Sequence, residues 1–190
     1  MKAELEAQAA KGRTGRKIRA MVLGIPNVGK SSFINRITKK NTAQVGNRPG
    51  VTRQKQWIRV GDGIELMDTP GVLWPKFESE EVGMNLAFTG TIKDDILEKT
   101  EIAFQLMRFL VDNYLKNIVE RYKLDEIQID EILKNSELEE NDKILEIIDV
   151  IAKKRGAILS GGRIDYEKIS GILLDEFRSG KLGRITIEKV

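Results

Sequence analysis

The chain contains no cysteine and no histidine. Without cysteine there is no disulfide framework, no thiolate nucleophile and no cysteine-zinc site. Without histidine the commonest general base and the commonest imidazole metal ligand are gone. A metal bound here has to be a hard cation held by oxygen, such as magnesium. Long apolar runs are missing too. No stretch approaches the roughly 18–20 residues of a membrane span, and the first residues do not read as a signal peptide. These absences predict a soluble, cytoplasmic protein with no membrane partner. Aromatic residues make up only 6% of the chain. What is present is 190 residues, 41% of them hydrophobic, enough for a buried core and one domain or a little more.

The net charge of +3 hides an asymmetry. Residues 1–60 hold 14 Lys and Arg against 2 Asp and Glu, and residues 61–150 hold 9 against 22. A basic first third points to an anionic partner, either phosphate or nucleic acid. The plainer reading is a solvated basic face, and the acidic middle reads as the exposed side of helices.

Residues 1–17 read as a basic linker broken by Gly12 and Gly15. Ile18 to Leu23 is a short apolar run that suits a buried strand, and Ser31 to Ile37 opens a helix with Phe33, Ile34 and Ile37 on one face. Residues 38–53 are polar and read as a loop. Gln56 to Val60 and Ile64 to Met67 read as strands joined at Gly61-Asp62-Gly63. From Asp94 to Tyr122 apolar residues recur at helical spacing, with Asp94 or Asp95 as cap. Further helices are expected around Ile129–Leu133, from Asp142 to Lys154 with Gly156 as stop, and from Asp165 to near Gly180 with Tyr166, Ile169, Leu173 and Phe177 inward. There is no internal repeat. The pattern predicts an α/β portion over 18–90, with a partial sheet, and an all-α portion over 91–190.

Gly24-Ile25-Pro26-Asn27-Val28-Gly29-Lys30-Ser31 fits G-x-x-x-x-G-K-[ST], placed between a strand and a helix. Its glycines let backbone N–H groups wrap a phosphate chain, and the helix N-terminus adds its dipole. Lys30 reaches the β- and γ-phosphates in such a site, and the Ser31 hydroxyl takes magnesium, with Ser32 beside it. Asp68-Thr69-Pro70-Gly71 follows a strand about 40 residues on. Asp68 is placed to hold magnesium from the far side, and Gly71 permits close backbone approach to a γ-phosphate. Between them, Thr52 in Arg48-Pro49-Gly50-Val51-Thr52 can supply a second magnesium ligand and sense the γ-phosphate, with Thr42 as competitor. Lys30, Thr52 and Gly71 form the candidate catalytic set. The nucleotide contacts are Gly24, Pro26, Asn27, Val28, Gly29, Lys30, Ser31, Ser32, Thr52 and Gly71.

These segments resemble the first three motifs of translation-factor-like GTPases. The stretches IRAMVLGIPNVGKSSFINR and GGRIDYEKISGILLDEFRSGKLGRI resemble the ribosome-biogenesis GTPase A family of circularly permuted GTPases. The resemblance implies binding of GTP and GDP with magnesium, GTP hydrolysis, and a helical domain that contacts ribosomal RNA in late assembly of the large ribosomal subunit. In that family the guanine-reading N-K-x-D and the S-A-K motifs precede the P-loop, and neither lies in the 23 residues ahead of Gly24. The chain is therefore expected to lack the segment that carries them. Tyr122-Lys123-Leu124-Asp125 offers K-x-D downstream, but it follows a helical pattern rather than a buried strand. Val72 stands where many GTPases place a water-orienting Gln, so activation must come from elsewhere. Asn27 is a candidate potassium ligand by the same resemblance, against a plain role in the turn. RNA-contact candidates are the basic segment Lys11, Arg13, Arg16, Lys17 and Arg19, and the late cluster Arg178, Lys181 and Arg184. A nucleotide-independent RNA- or ribosome-binding module and an ATPase of another P-loop group are the alternatives.

Overall fold

The computed structural model describes residues 6–7, 10, 12, 17–39, 54–60, 63–74, 76–92 and 98–188. It divides into two compact units, Met1–Phe77 and Glu78–Val190.

The first unit runs β1 (Ile18–Val22), α1 (Lys30–Thr38), β2 (Gln56–Val60) and β3 (Ile64–Asp68). The sheet order is β1-β3-β2. β3 pairs in parallel with β1, so that Val22 meets Asp68, and antiparallel with β2, so that Gln56 meets Asp68. The parallel pair demands a crossover, which α1 and β2 provide. Period-two alternation sends Ile64, Leu66 and Asp68 to one face of β3. There Leu66, Ile58 and Ile34 of α1 form the core, with Val22, Val60 and Ile64 packed against it. Phe33, Ile34 and Ile37 lie within about 100° of one another round α1, on one face as expected, but only part of that face is covered. Ile34 is fully buried, whereas Phe33 and Ile37 are exposed. Phe33 and Ile37 are four apart and lie to one side of Ile34, about 100° and about 60° round the helix from it.

The second unit is all helix: α2 (Glu80–Phe88), α3 (Lys99–Tyr122), α4 (Glu126–Lys134), α5 (Glu140–Arg155) and α6 (Tyr166–Arg178). α2 is absent from the sequence expectation, and it packs on α3 and α6 within this unit. Ser79 caps it, its hydroxyl accepting from Val82 N at 3.2 Å, and Glu80 and Glu81 complement its dipole. α5 stops at Gly156, which adopts φ 65°, as its position predicts. Asp165 caps α6 by accepting from Lys168 N at 2.9 Å. α3 is bent at Tyr114, with φ −141° and ψ 32°, and that hydroxyl donates to Thr186 O and accepts from Thr186 N. Ile102, Leu106, Leu110 and Ile118 of α3 meet Ile147 and Ile151 of α5 and Ile169 and Leu173 of α6 in one core. Tyr166, expected inward, is 43% exposed; it keeps its hydroxyl at the surface on Asp149, 2.9 Å away.

Candidate functional site

The loop between β1 and α1 has the backbone of a phosphate cradle. Asn27 and Gly29 both lie in the left-handed region, at φ 59° and 88°. Asn is one of the few side-chain-bearing residues that tolerates this. Pro26 and Asn27 form the turn, and Val28, Gly29 and Ser32 are exposed at its rim and the start of α1. Lys30 and Ser31 begin α1, so both side chains start from the dipole's positive end.

Asp68 closes the site from β3. It is fully buried, and Ser31 Oγ donates to its Oδ2 at 2.9 Å. The next residue, Thr69, is 4% exposed and donates to Val22 O at 2.7 Å, tying the end of β3 to the end of β1. Gly71 then meets the P-loop. A Cβ there would stand 2.5 Å from both Cα and N of Pro26, closer than any side chain tolerates. Val72 N donates to Gly24 O at 3.4 Å. Lys30 Nζ donates to Ile25 O at 2.7 Å, so the ammonium lies against its own loop. Burial pushes the Lys30 ammonium below its ordinary value, with the Asp68 carboxylate opposing.

The structure thus gathers Gly24, Pro26, Asn27, Gly29, Lys30, Ser31, Asp68 and Gly71 around one loop. Thr52 and its competitor Thr42 lie outside the described residues, as do Lys11, Arg13 and Arg16. Among the described residues, no three Asp or Glu side chains cluster as a metal site. Ser31 and Asp68 are oxygen donors suited to a hard cation, which would draw its other ligands from phosphate and water. Val72 is 71% exposed and apolar, so it cannot position a water molecule.

The other sequence candidates belong to other elements. Asp125 is the N-cap of α4, accepting from Ile127 N at 2.9 Å. Lys123 ends α3 with φ 51°. Their K-x-D spacing is that of a helix–helix turn, with no strand to aim it. Arg178 donates to Phe88 O at 3.0 Å and Ala87 O at 2.8 Å, satisfying carbonyls at the end of α2. Lys181 and Arg184 are exposed. Arg19 lies over the Trp57 ring, 4.9 Å from its centroid, and its Nε donates to Glu65 Oε2 at 3.2 Å. Sequence reasoning missed the Thr69 tie and the contact of Gly71 with Pro26. The first carried a signal, a hydroxyl following the last strand residue. The second depends on how two loops meet.

A strand, a glycine-bearing loop opening a helix, and a buried Asp at the end of the adjoining parallel strand define a P-loop GTPase domain. A family profile described as the 50S ribosome-binding GTPase matches residues 19–154, and the chain belongs to that family. Ribosome biogenesis GTPase A of Bacillus cereus is 48% identical over 188 residues, covering 99% of this chain and 59% of that protein. Its counterpart in Bacillus pumilus is 45% identical over 189 residues, covering 100% of this chain and 62% of that protein. The chain therefore spans about three-fifths of the length of these curated relatives. A solved structure described as GDP-bound TM YlqF shares the fold, with a TM-score of 0.55 at 24% identity, covering 97% of this chain and 66% of that one.

Proposed function

We propose that this chain binds GTP and GDP at the P-loop, hydrolyses GTP, and serves late assembly of the large ribosomal subunit in the cytoplasm. The observation that carries the reading is the Ser31–Asp68 hydrogen bond of 2.9 Å at the carboxyl end of the parallel β1/β3 pair. Two neighbouring oxygen donors of this kind are what a magnesium-nucleotide site requires, and that supports the reading. Ser31 and Asp68 would hold the magnesium ion, with Thr52 as a further protein ligand, and the ion would neutralise phosphate charge. Lys30 leaves Ile25 O to donate to the β- and γ-phosphates. Gly71, already against the P-loop, presents its backbone to the γ-phosphate. With Val72 unable to orient water, hydrolysis is slow until a partner docks, and a potassium ion held with Asn27 would add positive charge where it develops. Lys181 and Arg184 contact ribosomal RNA through its phosphates, with Arg178 fixing the helix end that precedes them.

The test is titration of the chain with fluorescent GTP, GDP and ATP analogues in magnesium, in parent and Lys30→Ala. Charge-assisted hydrogen bonds contribute about 1.5–3 kcal/mol each, so losing Lys30 should weaken binding by tenfold or more. Equal affinity in both proteins would sink the P-loop reading. Turnover with and without purified large subunits, in potassium and in sodium, tests the rest. No stimulation by subunits refutes the partner, and equal rates in the two salts remove the role of Asn27.

A further inference from the structure

We propose that the groove between α3 and α4 is a docking site for a basic amphipathic helix of a partner protein, which seats its apolar side chains between the two helices and its Lys and Arg side chains on an acidic rim. The proposal stands apart from the nucleotide and RNA readings above and rests on the helical unit alone.

α4 packs on α5, and between α4 and α3 a groove of about 680 Å³ is left. Leu115 and Val119 of α3 line one wall, and Ile127, Ile129 and Leu133 of α4 line the other. Ile129 is buried and belongs to the core, and Leu115, Val119 and Leu133 are half-buried against that core. Ile127 is 72% exposed. Apolar residues scattered singly over a surface need no explanation, but these line one groove.

The charge round the groove has one sign. Glu126 and Asp130, one turn apart on α4, and Lys116 on α3 complete the lining. Lys116 faces Glu120 at 3.9 Å, and Asp130 accepts from Lys134 at 2.6 Å. Glu126 has no ion-pair partner among the described residues. Residues 112–142, which contain both walls, carry 10 Asp and Glu against 4 Lys and Arg. Of those four, Lys116 and Lys134 are paired along their own helices. Arg121 is turned to the buried Glu176, donating at 2.9 and 2.8 Å and holding that carboxyl below the ordinary carboxylate range. A face with this balance repels RNA and attracts a cationic partner.

The shape of the groove sets the conformation of its occupant. Every lining residue stands on a helix, so no strand edge is offered to an extended peptide. The N–H groups of Ile127 and Gln128, free in an uncapped first turn, are taken by Asp125. An occupant must therefore satisfy its own backbone, as a helix does. The α4 wall from Glu126 to Leu133 is about 10 Å long, which is about two helical turns. Over that length a docked helix lays apolar side chains at i, i+3 or i+4, and i+7 along the groove, and its flanking cations reach Glu126 and Asp130.

The experiment uses the 190-residue chain and a fluorescently labelled peptide with Leu at i, i+3, i+4 and i+7 positions and Lys or Arg at the rest, read by anisotropy. The parent should bind this peptide. It should bind at least about tenfold more weakly a peptide with Glu in place of Lys and Arg, and one of the same composition with the Leu positions scrambled. Ile127→Asp should weaken binding of the basic peptide at least about tenfold. Glu126→Gln/Asp130→Asn should slow association and flatten its dependence on salt. Leu145→Asp, at an exposed apolar residue of α5 outside the groove, should bind as the parent does. Far-UV circular dichroism checks that the helices persist; if Ile127→Asp loses them, the rim variant decides alone. No binding by the parent, unchanged binding in both groove variants, or equal binding of the Glu or scrambled peptide overturns the proposal. If the parent self-associates in sedimentation and Ile127→Asp abolishes this, the groove seats a second copy and the partner proposed here falls.

Discussion

Replacing Gly71 with Ala adds one methyl group at the point where the Asp68–Gly71 segment meets the P-loop. That methyl would lie 2.5 Å from Cα and N of Pro26 and 2.9 Å from C of Ile25. Carbon atoms prefer about 3.5–4.0 Å, so one of the two backbones has to retreat by about 1 Å. Both neighbours are main chain, and neither can rotate aside. Overpacking of this kind costs about 1–3 kcal/mol. The retreat is directional. Thr69 anchors the strand side through its 2.7 Å bond to Val22 O, while the Val72 N to Gly24 O bond is already long at 3.4 Å and yields first. Asp68 and Ser31 should therefore stay paired, and the displacement should fall on Gly71 and the residues after it. Nucleotide binding, dominated by the P-loop, should weaken less than tenfold, because the cradle's own glycines are untouched. Turnover should fall about a hundredfold, the usual consequence of a 1 Å misplacement at a reacting centre. Single-turnover hydrolysis with GTP in excess of its dissociation constant separates the two effects. Turnover indistinguishable from the parent would show that Gly71 is a packing residue only.

Asp125→Ala should lower the stability of the helical unit by about 1 kcal/mol, the usual value of a helix N-cap, while leaving the GTP-to-ATP affinity ratio unchanged; an altered ratio would restore Asp125 as a base reader. The Glu176 carboxyl is lowered in the folded chain, so its contribution is present above 4.5 and is lost as pH falls below that value. Thermal melts from pH 6 to pH 3 should show this loss in the parent and a flatter profile in Glu176→Gln. Thr69→Val keeps the volume but removes the donor to Val22 O; it should reduce magnesium-nucleotide affinity, and Thr69→Ser should restore it. Failure of Ser to rescue would assign Thr69 to packing alone.

Much of the fold could be read from local signals. The three strands, the helix after the P-loop and the helices ended by Gly156 and opened by Asp165 all carry turn or cap residues at their edges, and those act within a few residues. α2 escaped because Val82, Met84, Leu86 and Phe88 fall on every second position, the period of a strand rather than a helix, although Ser79-Glu80-Glu81 marks its start. Tyr166 shows the opposite error. Apolar character predicts burial only when the tertiary structure places something opposite, and nothing local reports that. The P-loop and Asp68 were legible because a phosphate site imposes residue types at fixed spacing. Arg178 was not, because a basic residue near a chain's end reads the same whether it meets a phosphate or, as here, the carbonyls of Ala87 and Phe88.

The face of β3 that carries Ile64 and Leu66 into the core also carries Asp68 to Ser31. The carboxylate is the last member of an apolar stripe, set at the same two-residue interval as the side chains that bury the sheet. A slip of one residue in the pairing of β3 with β1 would turn Leu66 outward and Met67 toward Ser31 in the same movement. Misalignment of the chemistry is thus penalised by the hydrophobic effect and not only by lost activity. A misregistered chain would be eliminated at folding, before it could occupy nucleotide without turning it over. Mutational tolerance should follow the same coupling: single-residue insertions or deletions inside β3 should yield no folded protein, rather than folded but inactive protein.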